Sequence, residues 1–173
     1  MAEFQENLWA PWRMQYISGL REDAADGCFL CQYHAAPARD AEQLVVWRTA
    51  NVLVLLNRFP YSSGHLLVAP TAHVSEPEML SDEVLCELSR QTRDAKRVVQ
   101  AALGAQGFNI GMNLGRCAGA GLPEHMHWHI VPRWSGDTNV MSVVGAVRVI
   151  PDSLENIHAK LRTTAAALGV GQR

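Results

Sequence analysis

Along this chain of 173 residues the spacing of apolar positions switches between a period of two and a period near 3.6, and each switch marks an element. Residues 44–47 (LVVW) and 52–56 (VLVLL) are β-branched and leucine-rich runs parted by a short polar break, the pattern of a β-hairpin. A loop over 57–64, punctuated by Pro60 and Gly64, leads to the next strand, His65-Leu66-Leu67-Val68, ended by Pro70. From 78 to 103 the period turns helical: Leu80, Val84, Leu85, Leu88, Ala95, Val98, Val99 and Ala102 form one stripe. Ser81 is placed to cap this helix, Asp82 and Glu83 favour its first turn and Gly104 stops it. A long amphipathic helix over one sheet face is predicted, with Cys86 as a packing residue. Residues 108–113 (FNIGMN) read as a further strand, and the valine-rich 141–150 as extended. Asp152-x-x-Glu155 has the form of a capping box; the helix it opens carries Leu154, Ile157, Leu161 and Leu168 on one side, ends at Gly169 and leaves His158 inert on its polar face. Near the start, Trp9, Trp12, Tyr16 and Ile17 fall on one stripe of a short helix behind Pro11, which reads as a packing surface.

The run 125–134, HMHWHIVPRW, alternates most strictly. On a strand, successive side chains point to opposite faces, so His125, His127 and His129 share one face while Met126, Trp128 and Ile130 share the other, against the core. Pro132 is expected to end regular pairing. Three imidazoles in a row supply nucleophile, acid/base and ligand capacity near neutral pH. Because alternate residues sit roughly 6–7 Å apart, three of them converge poorly on one ion with bonds of about 2 Å. A catalytic row with at most one metal ligand is the better reading.

Composition bounds what such a row serves. The length suits one domain with a core that needs no staples. A net charge of −2 leaves no electrostatic footprint for duplex nucleic acid, so an anionic substrate must be held locally. No run approaches the roughly 18 apolar residues of a membrane span, and MAEFQENLW lacks the regions of a signal peptide, so a cytoplasmic location is the expectation. Four cysteines in that setting are thiols or metal ligands rather than a disulfide framework. The pair Cys28-x-x-Cys31 lacks the histidine that haem attachment needs, since Gln32 follows, and lacks a thioredoxin-like βαβ setting. Zinc ligation and a pair of reduced surface thiols are the two readings left. Directly before the histidine row, the loop 114–124 (LGRCAGAGLPE) brings Gly115, Gly119 and Gly121, which permit positive φ and close backbone approach, so its N–H groups are expected to form an anion nest with Arg116 nearby.

The segment HMHWHIV fits at every position the His-φ-His-φ-His-φ-φ signature, φ being apolar, and so resembles the histidine triad superfamily. Asn57-Arg58-Phe59-Pro60, the Gly64-to-Pro70 stretch with His73 after it, and the downstream VPRWSGDTN resemble the same superfamily, the last its bacterial diadenosine tetraphosphate phosphorylase branch. The opening Leu8-Trp9-Ala10-Pro11-Trp12-Arg13 is similar to that branch as well. The resemblance implies an α+β fold of the HIT type: an antiparallel sheet of about five strands with one long helix and a C-terminal helix, usually a homodimer. The chain then divides into an N-terminal extension (1–43) with the CxxC, a core (44–150) and a C-terminal helix (151–173) of a single domain.

The implied activity is cleavage of dinucleoside polyphosphates, such as diadenosine tetraphosphate, through a nucleotidyl-histidine. His127 is the implied nucleophile, His129 contacts phosphate and helps protonate the leaving oxygen, and His125 orients its neighbour. Asn57, His65, Asn113, Gly119 and Gly121 are the expected substrate contacts. Zinc would be held by Cys28, Cys31, His73 and His125, with His34 a rival ligand, and no organic cofactor is expected. The hydrolase branch usually carries glutamine four residues before the first triad histidine; Gly121 stands there instead and favours phosphorolysis over attack by water. The rival readings are a nucleoside phosphoramidate or adenylated-protein hydrolase of the same superfamily and a non-catalytic nucleotide sensor.

Overall fold

A computed structural model describes residues 27–137 and 150–171. The expected helix at 8–17 and nearly all of the expected extended stretch at 141–150 lie outside the described residues.

The hairpin is present as β1 (Val45–Arg48) and β2 (Val52–Leu56), and β3 spans Leu66–Pro70. Every residue of β2 and β3 is buried, as befits the middle of a sheet covered on both faces. A short helix α1 (Phe29–Ala35) precedes them, and the long helix α2 runs Asp82–Leu103. Strand β4 (Gly107–Met112), strand β5 (Trp128–Arg133) and helix α3 (Leu154–Ala167) follow. All pairings are antiparallel, and the spatial order β1-β2-β3-β5-β4 places the histidine strand between β3 and β4. The fold is α+β, as expected. Among the described residues no helix is long and apolar enough to cross a membrane.

Two apolar clusters sandwich the sheet. The larger joins Val52, Val54, Leu56, Leu66, Val68 and Ile130 to Leu88, Ala95, Val98 and Val99 of α2 and to Ile157, Leu161 and Ala165 of α3. The smaller, on the opposite face, joins Val45, Leu53, Leu55, Leu67 and Ala69 to Leu30 of α1. Register decides on which face the chemistry falls: Leu67 and Gly111 are the direct partners of His129, so the imidazole stands on the face of the smaller cluster.

Several local expectations are corrected. Ser81 occupies the N-cap of α2 but its hydroxyl caps no backbone N–H, leaving Asp82 and Glu83 to complement that end. Gly104 does end the helix, in the left-handed conformation at φ 65°. Cys86 is exposed rather than packed, since it lies off the buried stripe. The cap of α3 is Ser153, which accepts from the Asn156 backbone N–H, while Asp152 braces the end through Asn156 and Lys160. Leu168 falls past the last turn and is exposed; Ala165 takes the buried place instead. His158 is buried, with its Nε2–H donating to Val45 O at 2.8 Å, so it ties α3 to β1 rather than facing water. Pro132 lies inside β5, opposite Phe108. It is tolerated because β3 accompanies β5 only over residues 128–130, so at Pro132 a strand edge without its second neighbour absorbs the missing donor.

Gly64, the residue before His65, has φ +79°, and a Cβ there would run into Leu103 Cδ1 of α2. Gly64→Ala is expected to cost about 1–2 kcal/mol from the left-handed backbone alone. Gly111→Ala, where a Cβ meets nothing within 4 Å, is expected to stay within about 0.5 kcal/mol. Thermal unfolding of the two variants side by side checks the contrast.

Candidate active site and metal centre

The three histidines of the row do not stand together. Strand β5 starts at Trp128, so His125 and His127 precede it in a segment held by Met126 N–H donating to Val74 O at 2.7 Å, beyond the end of β3. The row therefore divides into two groups that face different partners.

His125 joins the N-terminal extension. Its Nε2 lies 2.8 Å from Pro70 O. A carbonyl oxygen only accepts, so that nitrogen carries the hydrogen and Nδ1 keeps a lone pair. Nδ1 is 3.1 Å from Cys28 Sγ and 3.5 Å from Cys31 Sγ, and Cys31 Sγ is 3.3 Å from His73 Nδ1. The four donor atoms of Cys28, Cys31, His73 and His125 all lie within 4.8 Å of one another. Donors bound tetrahedrally at about 2.0–2.3 Å stand roughly 3.3–3.8 Å apart, so these spacings and this donor set fit a Cys₂His₂ metal site. Burial pushes the Cys28 thiol up to about 11, the Cys31 backbone N–H opposing the rise and the Cys31 thiol adding to it, which a bound cation would reverse by favouring the thiolate. His34 is exposed at the end of α1 and lies outside this cluster. The expected ligand set, two cysteines on one short segment and histidines up to 97 residues away, is brought together by the fold.

His127 and His129 form the second group with His65. The His127 and His129 ring centroids are 4.9 Å apart at an interplanar angle of 69°. His127 Nδ1 lies 2.9 Å from His125 O, so Nδ1–H is the donor and Nε2 bears the free lone pair. Burial lowers the pKa of this ring, against a smaller opposing effect of the bond to His125 O, and so favours the neutral, nucleophilic form.

The tautomers of His65 and His129 follow from the same accounting. Tyr61 N–H donates to His65 Nδ1 at 3.1 Å, and Asn57 Nδ2 lies 3.2 Å from the same nitrogen. Nδ1 of His65 is thus an acceptor, and its hydrogen sits on Nε2, which is 3.0 Å from His129 Nδ1. His129 Nδ1 in turn accepts, leaving an Nε2–H on His129. One ring therefore offers a lone pair and its neighbour an N–H donor, the complement needed at a phosphorus and its oxygens.

His129 is held neutral to about 4, chiefly by burial and secondly by the nearby His127. A proton on its Nδ1 would also displace the bond from His65. The unfolded ring takes up a proton below about 6.5 and the folded one only near 4, so this residue makes the native state lose stability as pH falls through that window. The carbon-bound proton resonance of His129 is expected to stay constant between about pH 5.5 and 8; a titration step near 6.5 would contradict the assigned network.

The other expected contacts are placed as follows. His65 is fully buried behind His129, with both nitrogens engaged. Asn57 accepts from Phe59 N–H at 2.9 Å, a side-chain turn, while reaching His65. Asn113 donates to Gly119 O at 3.4 Å and braces the glycine loop. In that loop Gly115 and Gly119 are left-handed but Gly121 is not. The amides of Gly119 and Ala120 bond to Arg116 O and Gly115 O, so these two N–H groups serve the loop itself instead of the expected nest. Tyr61, which sequence reading passed over, lies against the imidazoles: its ring centroid is 4.7 Å from that of His65 and 5.8 Å from that of His129. Its only signal was an aromatic residue inside the loop that leads to the strand histidine.

This sheet, with its divided histidine row, is that of a histidine triad protein: residues 38–136 match the HIT domain, and the chain belongs to the HIT family. It is 40% identical over 162 residues to AP-4-A phosphorylase of Mycobacterium tuberculosis strain H37Rv, covering 91% of this chain and 83% of that one. It is 33% identical over 93 residues, 54% of this chain and 50% of the other, to the asymmetrical bis(5'-nucleosyl)-tetraphosphatase of Schizosaccharomyces pombe. Among solved structures, a Zn-bound histidine triad family protein from Mycobacterium smegmatis superposes with a TM-score of 0.67 at 28% identity, over 83% of this chain and 96% of that one.

Proposed function

We propose that the protein cleaves dinucleoside polyphosphates such as diadenosine tetraphosphate, by two-step transfer of a nucleotidyl group through His127 with inorganic phosphate as the acceptor. The observation that carries this reading is the pairing of an imidazole whose Nδ1–H is spent on His125 O with a neighbour whose free nitrogen bears a hydrogen. In the first step His127 Nε2 attacks the α-phosphorus, the bond from that phosphorus to the leaving polyphosphate oxygen breaks, and a nucleotidyl-histidine forms. His129 Nε2–H holds a non-bridging oxygen as charge builds there. In this reading a neutral His129 acts as a hydrogen-bond donor rather than as the proton source the sequence suggests, and a polyphosphate leaves as an anion without that help. In the second step a phosphate oxygen attacks the same phosphorus and frees His127.

The activities named for the mycobacterial and yeast relatives support the substrate class, and the fuller coverage of the phosphorylase supports phosphate as acceptor. Zinc is the metal that a Cys₂His₂ set suits, and the Zn-bound relative is in keeping with it. There Cys28, Cys31, His73 and His125 would hold the ion, which supplies a fixed cross-link and takes no part at phosphorus. A homodimer is the assembly this reading carries. Incubation of diadenosine tetraphosphate with phosphate is expected to give ADP plus ATP. AMP plus ATP in the presence of phosphate would make the protein a hydrolase, and no cleavage would overturn the proposal.

A further inference from the structure

The His65–His129 pair has a roof. Tyr61 stacks on His129 at an interplanar angle of 28° and lies tilted at 33° over His65, while 40% of its surface stays exposed. One face of the ring lies on the imidazoles and the rest meets solvent, so core packing does not account for its place. The loop that delivers it is tightly specified: Asn57 closes a turn onto Phe59 N–H, Pro60 fixes the backbone, and Tyr61 N–H ends on His65 Nδ1. One residue thus meets the relay twice. Its main chain sets which nitrogen of His65 carries hydrogen, and its ring limits the planes that both imidazoles adopt.

We propose that Tyr61 is a positioning residue for the reaction, whose ring holds His129 in the orientation that aims Nε2–H at the phosphate. The argument is geometric. Among the described residues His129 is anchored by one ring bond, at Nδ1 from His65, and one bond leaves an imidazole free to rock about it. A roof that lies against both rings removes that freedom. Displacements of about 1 Å at a reacting group cost up to ~100-fold in rate, so the loss of such a roof is read in the chemical step. The inference rests on the proposed transfer reaction, but part of its test does not.

Tyr61→Phe, Tyr61→Leu and Tyr61→Ala all keep the backbone N–H and therefore the tautomer of His65, which isolates the ring. With diadenosine tetraphosphate and phosphate, Phe is expected to match wild type within about twofold, while Ala and Leu lose about 10- to 100-fold in kcat with KM little changed. Nitrogen-15 spectra of the histidines are expected to keep the Nε2–H tautomer of His129 in every variant, with sharp signals in wild type and Phe and motionally broadened signals in Ala. Wild-type kcat together with an unaltered His129 signal in Ala overturns the proposal. So does a rise in KM alone, which would make the ring a substrate contact, or a loss in Phe equal to that in Ala at lowered thermal stability. If the wild-type protein cleaves no dinucleoside polyphosphate, the parent reading fails, and the His129 spectra still decide whether the roof orders the ring.

Discussion

Replacing His127 by asparagine is expected to leave a folded protein that binds nucleotide and does not turn it over. Asparagine suits this test because its amide N–H can still donate to the carbonyl of His125, the bond that His127 Nδ1 makes at 2.9 Å. It has no nitrogen lone pair to offer phosphorus, so the covalent step is lost. Removal of a nucleophile whose partners act with it as a unit typically costs 10³-fold or more, up to about 10⁶. The variant's turnover should fall by at least ~10³ while its nucleotide Kd stays near the wild-type value. A radiolabelled nucleotide should be trapped on wild type as an acid-labile adduct and absent from the variant. Turnover near the wild-type rate would place the nucleophile elsewhere, and an unchanged adduct would do so independently.

How the site reads from sequence depends on which contacts are local. Alternation along 125–130 correctly put His129 and Ile130 on opposite faces, since both lie in β5, where period two is enforced by pairing with β3 and β4. The same alternation also put His125 on the face of His129, and that is the face on which Leu30 and Cys28 lie. What alternation did not carry is how His125 is held: its segment lies ahead of β5 and is anchored by Met126 N–H on Val74 O, a contact distant in sequence. His158 was misjudged because helical periodicity ranks a histidine as polar, whereas the Val45 carbonyl on edge strand β1 gives a buried imidazole its partner there. Pro132 was judged by a rule for strands flanked on both sides, and β5 has lost one neighbour by that point.

The resemblance supplied the four-residue metal cluster that spacing alone left open between zinc and free thiols. The structure supplied what neither contained, the direction of each imidazole's hydrogen. That direction comes from backbone groups, His125 O, Pro70 O and Tyr61 N–H, and backbone donors and acceptors are the same whatever the sequence. It also unites the two halves of the row: His125 offers one ring nitrogen to the metal cluster and its carbonyl to the nucleophile.

Loss of the metal should consequently be felt in both stability and catalysis. Protein purified without chelator is expected to carry about one equivalent of zinc per chain by metal analysis. An ion held by Cys28, Cys31, His73 and His125 closes chain segments 97 residues apart. Closing a loop of that length is worth about 4–5 kcal/mol, and each kcal/mol moves Tm by roughly 2–4 °C in a chain of this size. Stripping with a strong chelator should therefore lower Tm by on the order of 10 °C. Cys28→Ser and Cys31→Ser should each lose the metal and reproduce the shift, while Cys86→Ser, at an exposed position on α2, should retain both metal and Tm. The rate should fall with the metal as well, because a loosened His125 no longer fixes the carbonyl that holds His127 Nδ1–H. Metal-free protein that melts at the same temperature and turns over at the same rate would refute the structural role of the cluster. Restoration of Tm without restoration of rate on adding zinc back would refute only its link to the nucleophile.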